Sequence, residues 1–199
     1  MCRAAKVTGS DEYGGGDMRQ IIAILIMGAI AMLMAACSGT GQVRPATNSQ
    51  AAAAFGNISL PHGYITHVML YKVGVVYVTP FKSPPKGHTF TNGDFFFENL
   101  KPGKYFLVGF MSKQNAFYFN YRGIDKDKFI KEMAVDIKPG SITYLGSYKV
   151  TGINRNFIKS NTFDIKQSNT PSKSTVLKNL RVEIAGTGWD KRIARVISD

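Results

Sequence analysis

Residues able to carry out chemistry are few in this chain of 199 residues. Its two cysteines, Cys2 and Cys37, are too few for a disulfide framework or a cysteine-built zinc site. The histidines are His62, His67 and His88, and the first two would face opposite sides of a strand, which makes them poor partners on a metal. The sequence has no Gly-x-Ser-x-Gly elbow, Walker loop or zinc-protease helix motif. We therefore expect no catalysis, no metal and no bound cofactor.

Cys37 is the exception, because its context favours lipid attachment. Arg19 and Gln20 precede an apolar run over residues 21–34, shorter than the roughly 20 residues of a membrane-spanning helix. Ala35 and Ala36 then lead directly into the cysteine. This order of charge, apolar run, small pair and Cys resembles the signal of bacterial lipoproteins.

The resemblance implies where the protein goes. Residues 18–36 would be the signal peptide, and the acidic, glycine-rich residues 1–17 would be a misassigned extension ahead of the true start at Met18. Cys37 would become the new N-terminus and carry covalent lipid as the membrane anchor. Ser38, in place of Asp, implies the periplasmic face of the outer membrane. An exported chain of this kind would not meet nucleic acid.

A short aromatic stretch is the candidate binding surface. On a strand, Phe117, Phe119 and Tyr121 would share one face, Tyr118 would point the other way, and Arg122 follows. Such residues either pack into the core or form an edge whose rings and adjacent cation suit a glycan or an anionic partner.

The net positive charge of the chain also favours an anionic partner. Lys and Arg number 25 against 13 Asp and Glu, a formal net charge of +12. The segment ahead of Cys37 carries equal numbers of each sign, so processing leaves this charge unchanged. Anionic envelope surfaces, such as phospholipid headgroups or peptidoglycan carboxylates, and an envelope protein complex are the expected partners, with attraction screened beyond about 8 Å in physiological salt. Solubility alone is the other explanation of the charge.

The elements that must position these residues are mostly strands. Residues 37–56, rich in Gly, Ser, Thr, Asn and Ala, predict a flexible tether about 25 Å long after the lipidated cysteine. Residues 57–168 alternate apolar and polar positions, and residues 125–128 predict a solvated turn between strands. Residues 169–199 have helical periodicity. Candidate strands are 65–71, 75–78, 88–90, 94–98, 104–110, 117–119, 133–137, 142–150 and 157–165.

Three turns suggest the fold class. Asn92-Gly93 predicts a tight hairpin turn, and Lys-Pro-Gly at 101–103 and again at 138–140 predicts two type II turns in hairpins. The stretch 93–105 resembles the Gly-x-Phe-x-Phe-x-Asn-Leu-x-Pro-Gly-x-Tyr pattern of transthyretin-like and carboxypeptidase-regulatory-type domains. The resemblance implies a mainly β fold, an antiparallel β-sandwich of transthyretin or immunoglobulin type, with a C-terminal helical segment packed on it.

These observations predict an outer-membrane lipoprotein with a non-catalytic binding or accessory domain. Two alternatives stay open. An envelope enzyme would need a deep pocket in which histidine and carboxylate groups converge, and a structural spacer would have neither a pocket nor a binding patch.

Overall fold

The computed structural model describes residues 42–75, 77, 83–120, 125–155 and 160–198, which hold nine strands and three helices. Cys37 and the predicted signal lie outside these residues. The strands are β1 (Ala52–Ser59), β2 (His67–Lys72), β3 (Lys86–Thr89), β4 (Asp94–Leu100), β5 (Gly103–Ser112), β6 (Asn115–Phe119), β7 (Val135–Ile137), β8 (Ile142–Asn154) and β9 (Asn161–Ser168). The helices are α1 (Lys126–Met133), α2 (Lys173–Glu183) and α3 (Trp189–Ser198).

Eight of the strands close into a barrel. The hydrogen-bonded order is β2-β3-β4-β1-β8-β9-β6-β5, and β5 pairs back onto β2 from His67↔Met111 to Lys72↔Tyr105. β7 is the extra strand, and it pairs with Gly103–Tyr105 on the edge of β5 that β6 occupies further along. The predicted sandwich is therefore wrong, although the mainly β class is correct. Both edges of β5 are paired, so the sheet has closed on itself instead of splitting into two open layers.

Two parallel strand pairs also distinguish this barrel from the predicted antiparallel arrangement. β1 runs parallel to β8, and β6 runs parallel to β9. Neither Lys-Pro-Gly turn forms a hairpin, because β4 is not paired with β5 and β7 is not paired with β8. Gly140 has a φ of 70°, close to the value of about 80° expected at this position of a type II turn, whereas Gly103 has a φ of 142°. The Asn92-Gly93 turn does connect a hairpin, β3 with β4.

The barrel interior is filled by large side chains from every part of the circuit. Phe110 stacks on Phe117 with 5.1 Å between ring centroids, and it lies 4.7 Å from Phe163. Phe95 and Phe97 make an edge-to-face contact at 5.9 Å. These aromatic pairs add to the stabilisation that burial of apolar surface provides. The barrel is thus a packed core, and its chemistry must lie at its rim or outside.

Strand β1 is buried on both faces. Ala52, Ala54 and Ile58 belong to the interior cluster, while Ala53 and Phe55 belong to a second cluster outside the barrel. The predicted tether reached residue 56, but the structure begins the domain well before that residue. Because both faces are covered, residues 52–55 are apolar in succession and lack the alternation by which strands are identified.

Helices α2 and α3 cover the outer face of β1, and they occupy the segment for which helices were predicted. Ser172 caps α2 by accepting a hydrogen bond from the Thr175 amide at 3.3 Å. Their apolar sides pack on Phe55 and Phe96, and Trp189 is fully buried between helix and barrel. Within the described part of the chain, no helix combines the length and apolar character needed to cross a membrane.

Candidate functional site

The predicted aromatic surface is divided between two environments. Phe117 and Phe119 are buried in the barrel interior, where Phe119 stacks on Phe129 at 4.3 Å. Tyr118 is half-buried on the outside of the barrel, against a small cluster around Phe106. Phe117 and Phe119 are therefore core residues and not part of an exposed binding surface.

Tyr121 and Arg122 lie outside the described residues, as does the predicted lipidation site Cys37. Their predicted roles remain predictions.

A pocket of about 450 Å³ opens at the barrel rim, where the end of β2 meets the turn between β4 and β5. β2 and the residues after it contribute Lys72 and Tyr77, and β4 and its turn contribute the segment 97–101. Tyr105 from β5 and Lys86 from β3 complete the wall, and Arg44 reaches in from the segment ahead of β1. This volume is in the usual range for small-molecule sites. We call it the basic pocket.

The charge of the basic pocket is strongly one-sided. Four cations line it: Arg44, Lys72, Lys86 and Lys101. Among its described lining residues, Glu98 is the one carboxylate. Cations gathered around one cavity raise the local concentration of anions.

The charge of Glu98 is already compensated. Its Oε1 accepts a hydrogen bond from Arg44 Nε at 3.1 Å, and its Oε2 lies 3.0 Å from His88 Nε2. Only 5% of the Glu98 side chain is exposed, against 77% of the Arg44 side chain. Burial by itself raises the pKa of Glu98. Hydrogen bonds from His88, Arg44 and the backbone, together with the charge of His88, outweigh that effect and lower the pKa below its ordinary value. Glu98 is therefore an ionised, fully engaged group, which leaves Lys72, Lys86 and Lys101 uncompensated by it.

Lys72 is held in place on the aromatic wall. Its Nζ donates to the Pro102 carbonyl at 2.6 Å and lies 5.7 Å from the centroid of the Tyr105 ring. The hydroxyl of Tyr105 donates to the Lys101 carbonyl at 2.8 Å, and the Lys72 amide donates to the hydroxyl of Tyr77 at 3.1 Å. The β4–β5 turn thereby fixes both a cation and the ring beneath it.

Burial, with a smaller contribution from Tyr77, raises the pKa of Tyr105, so the phenol stays protonated at neutral pH. Because the single O–H of Tyr105 already donates to the Lys101 carbonyl, the donors that can face a ligand are the lysine ammonium groups and the guanidinium of Arg44. Chemically, the basic pocket is suited to accept an anion. In the described residues, no group of three or more His, Cys, Asp or Glu side chains is arranged to hold a metal ion.

Sequence reasoning did not find this pocket. Its members are scattered, and Arg44 and Glu98 are 54 residues apart in the chain. The one local signal was the Lys-Pro-Gly-Lys turn at 101–104, which was interpreted only as a turn. The residues become neighbours because β2 and β5 pair when the barrel closes.

Comparison with known proteins gives little. No protein-family model and no curated protein sequence matches the chain. Among solved structures it is similar to a DUF3823 family protein from Parabacteroides merdae, at 10% sequence identity and a TM-score of 0.28. The match covers 60% of this chain and 48% of that one, so it spans less than half of that protein's length. A similarity at this level carries no information on function.

Proposed function

We propose that the protein is a lipid-anchored protein of the bacterial cell envelope whose barrel binds an anionic small molecule without transforming it. The lipoprotein-like signal that ends at Cys37 supports the anchor, and Ser38 supports the outer membrane. The one observation that carries the binding role is the basic pocket, with four cations around a single, already paired carboxylate.

The ligand class follows from the pocket's donors. Lys72, Lys86 and Lys101 offer ammonium groups suited to phosphate or carboxylate oxygens, and Arg44 adds a guanidinium at the mouth. The half-buried ring of Tyr77 supplies a flat, partly apolar wall. A phosphorylated or carboxylated molecule with a planar or apolar part fits this combination better than an inorganic ion alone.

Titration with pyrophosphate and with phenyl phosphate tests the binding role. We expect both to raise the melting temperature of the purified protein, with phenyl phosphate the tighter of the two. The variant Lys86→Met with Lys101→Met should bind at least about tenfold more weakly, because a hydrogen bond to a charged group is worth about 1.5–3 kcal/mol. Both lysines are exposed, so the variant should fold normally.

The matched control is Lys113→Met with Lys131→Met. Both lysines are exposed, and their substitution removes the same charge as the first double variant. Lys113 lies in the β5–β6 turn and Lys131 on α1, and neither lines the basic pocket. Equal weakening in both double variants would mean that only net charge matters, and it would overturn the pocket as the binding site.

A separate experiment tests the anchor. Cells labelled with radioactive palmitate should yield a labelled protein that fractionates with the outer membrane. The Cys37→Ala variant should lose the label. An unlabelled wild-type protein in the soluble fraction would contradict the anchor while leaving the pocket untouched.

A second candidate function, envelope enzyme, is favoured by one observation. Glu98, which lines the basic pocket, lies 3.0 Å from His88 Nε2, and a paired histidine and carboxylate are used in general acid–base catalysis. Turnover of a bound phosphate ester that His88→Gln abolishes, while binding persists, would favour this function over simple binding.

A further inference from the structure

The first described residues of the chain pack against the helical layer, which consists of α2 and α3. Val43 is buried in the same cluster as Leu180 and Trp189, although it is the second described residue of the chain. The indole Nε1 of Trp189 donates to the Arg44 carbonyl at 3.1 Å. The chain that comes from Cys37 therefore joins the domain beside α3.

The link between Cys37 and this point is short. Val43 follows Cys37 by six residues, which span at most about 20 Å when fully extended. The tether predicted from sequence, residues 37–56, was about three times as long as this link. With lipid on Cys37, the helical layer must lie near the membrane surface.

The exposed surface of that layer is basic. Lys191, Arg192 and Arg195 share one side of α3 by their spacing of three and four residues. Arg192 is held over the Trp189 ring, with its guanidinium carbon 4.4 Å from the centroid, and it donates to the Gly140 carbonyl at 2.6 Å. The acidic residue of this helix, Asp190, is turned back to its start, where it accepts from the Gly186 amide at 3.2 Å.

The apolar side of α3 faces the barrel and lies across the helix from Lys191 and Arg195. Trp189 and Ile193 are fully buried there, whereas Val196 and Ile197, both about one turn after Ile193, are each 36% exposed. The outward side of α3 therefore presents the exposed cations Lys191 and Arg195, which anionic lipid headgroups attract.

We propose that α3 rests on the anionic phospholipid headgroups of the same membrane that holds Cys37. Lys191 and Arg195 contact the headgroups, while Trp189 and Ile193 hold the other side of the helix on the barrel. The inference rests on the lipid anchor of the proposed function, and it does not depend on the basic pocket having a ligand. It orients the barrel, because β5 is four strands from β1 in both directions around the circuit and so lies opposite the helical layer.

Site-specific depth quenching tests this orientation. The full-length lipoprotein, with Cys2→Ala, receives a single thiol at Ser198→Cys on α3 or at Gln114→Cys in the β5–β6 turn. Each protein is labelled with a fluorophore and reconstituted into vesicles of phosphatidylcholine, with or without phosphatidylglycerol, that carry a headgroup nitroxide. We expect strong quenching at position 198, dependent on phosphatidylglycerol, and little at position 114.

Charge variants sharpen the result. Each Lys or Arg near an anionic surface contributes about a fivefold preference, so Lys191→Gln with Arg195→Gln should lower the ratio of docked to undocked molecules about 25-fold. Lys113→Gln with Lys131→Gln removes the same charge on the opposite side and should leave quenching at position 198 unchanged. Equal quenching at both labels, quenching at neither, or equal sensitivity to both double variants would overturn the proposal.

The parent protein without an added thiol separates this outcome from failure of the anchor. If Cys37 is not acylated, the dye attaches to the parent chain itself. If Cys37 is acylated, the parent stays unlabelled and the contrast between positions 198 and 114 reports orientation alone.

Discussion

The two opposite sides of the barrel are covered in different ways. The β1 side lies under α2 and α3, with an aliphatic cluster around Trp189. Among the described residues, the β5 side has the short helix α1 beside it and a smaller cluster of Met69, Phe106 and Val108. Cover on both faces gives β1 consecutive buried apolar residues over positions 52–55, whereas β5 and β6 keep half-exposed positions such as Tyr118. How a strand is covered thus decides whether its sequence pattern reveals it.

The β1 side also contains a buried network of polar side chains. On the β1 side the fully buried Asp94 accepts hydrogen bonds from Asn57 at 2.8 Å, Asn92 at 2.7 Å and Asn179 of α2 at 2.9 Å. This carboxylate joins two strands, a turn and a helix. The β1 side should therefore hold most of the stability that depends on tertiary contacts.

Removal of the indole should have the largest effect. Trp189→Ala empties a fully buried site that contacts Phe96 edge-to-face at 5.7 Å, and we expect a loss of about 3–5 kcal/mol in the free energy of unfolding. Urea denaturation followed by circular dichroism measures it. A loss below that of Tyr118→Ala, on the β5 side, would contradict the difference between the two sides.

Removal of the buried carboxylate should rank second. Asp94→Ala leaves three amide donors without their acceptor, and we expect a loss of about 2–4 kcal/mol. A double-mutant cycle with Asn179→Ala isolates the contact between strand and helix. Additive losses in that cycle would show that Asp94 does not fasten α2 to the barrel.

Tyr118→Ala should cost about 1–2 kcal/mol, because the ring is half-buried and packs only against the small outer cluster. The same denaturation series provides the value. Tyr118→Phe is the control, and it should be nearly neutral if packing and not the hydroxyl matters.

The smallest expected effect is a pH dependence at the pocket. The folded state lowers the pKa of Glu98 below 4.5, so its stabilisation is complete above that pH and is lost as the pH falls through the lower, folded value. Melting temperatures from pH 7 to pH 3 should fall less steeply for Glu98→Gln than for the wild type. Parallel curves would show that the pairing with His88 does not stabilise the fold.

Local patterns in the sequence predicted local structure well. The Asn92-Gly93 hairpin and the helices after residue 169 follow from a turn dipeptide and a 3.6-residue period, and the structure confirms both. Helix α1 was missed because its charged first turn resembled a solvated loop. Its signals were Asp125, which caps the helix, and the apolar positions Phe129 and Met133.

Long-range closure could not be predicted in this way. The return of β5 to β2 turns a sheet into a barrel, and no short motif encodes it. The same closure assembles the basic pocket, whose lysines are unremarkable one by one. For a related reason the sequence did not show that Phe117 and Phe119 are buried, since alternation indicates that they share a face but not which face is buried.

The place of β1 between β4 and β8 has a consequence for the order of folding. Ser59 of β1 bonds to the Tyr148 carbonyl of β8, 89 residues further along the chain. A ribosome or an export channel releases β1 first, so this apolar strand waits, unpaired on one edge, until most of the domain has emerged. Folding should therefore be slow and controlled by this late parallel pairing. The newly made chain needs protection from aggregation during that interval.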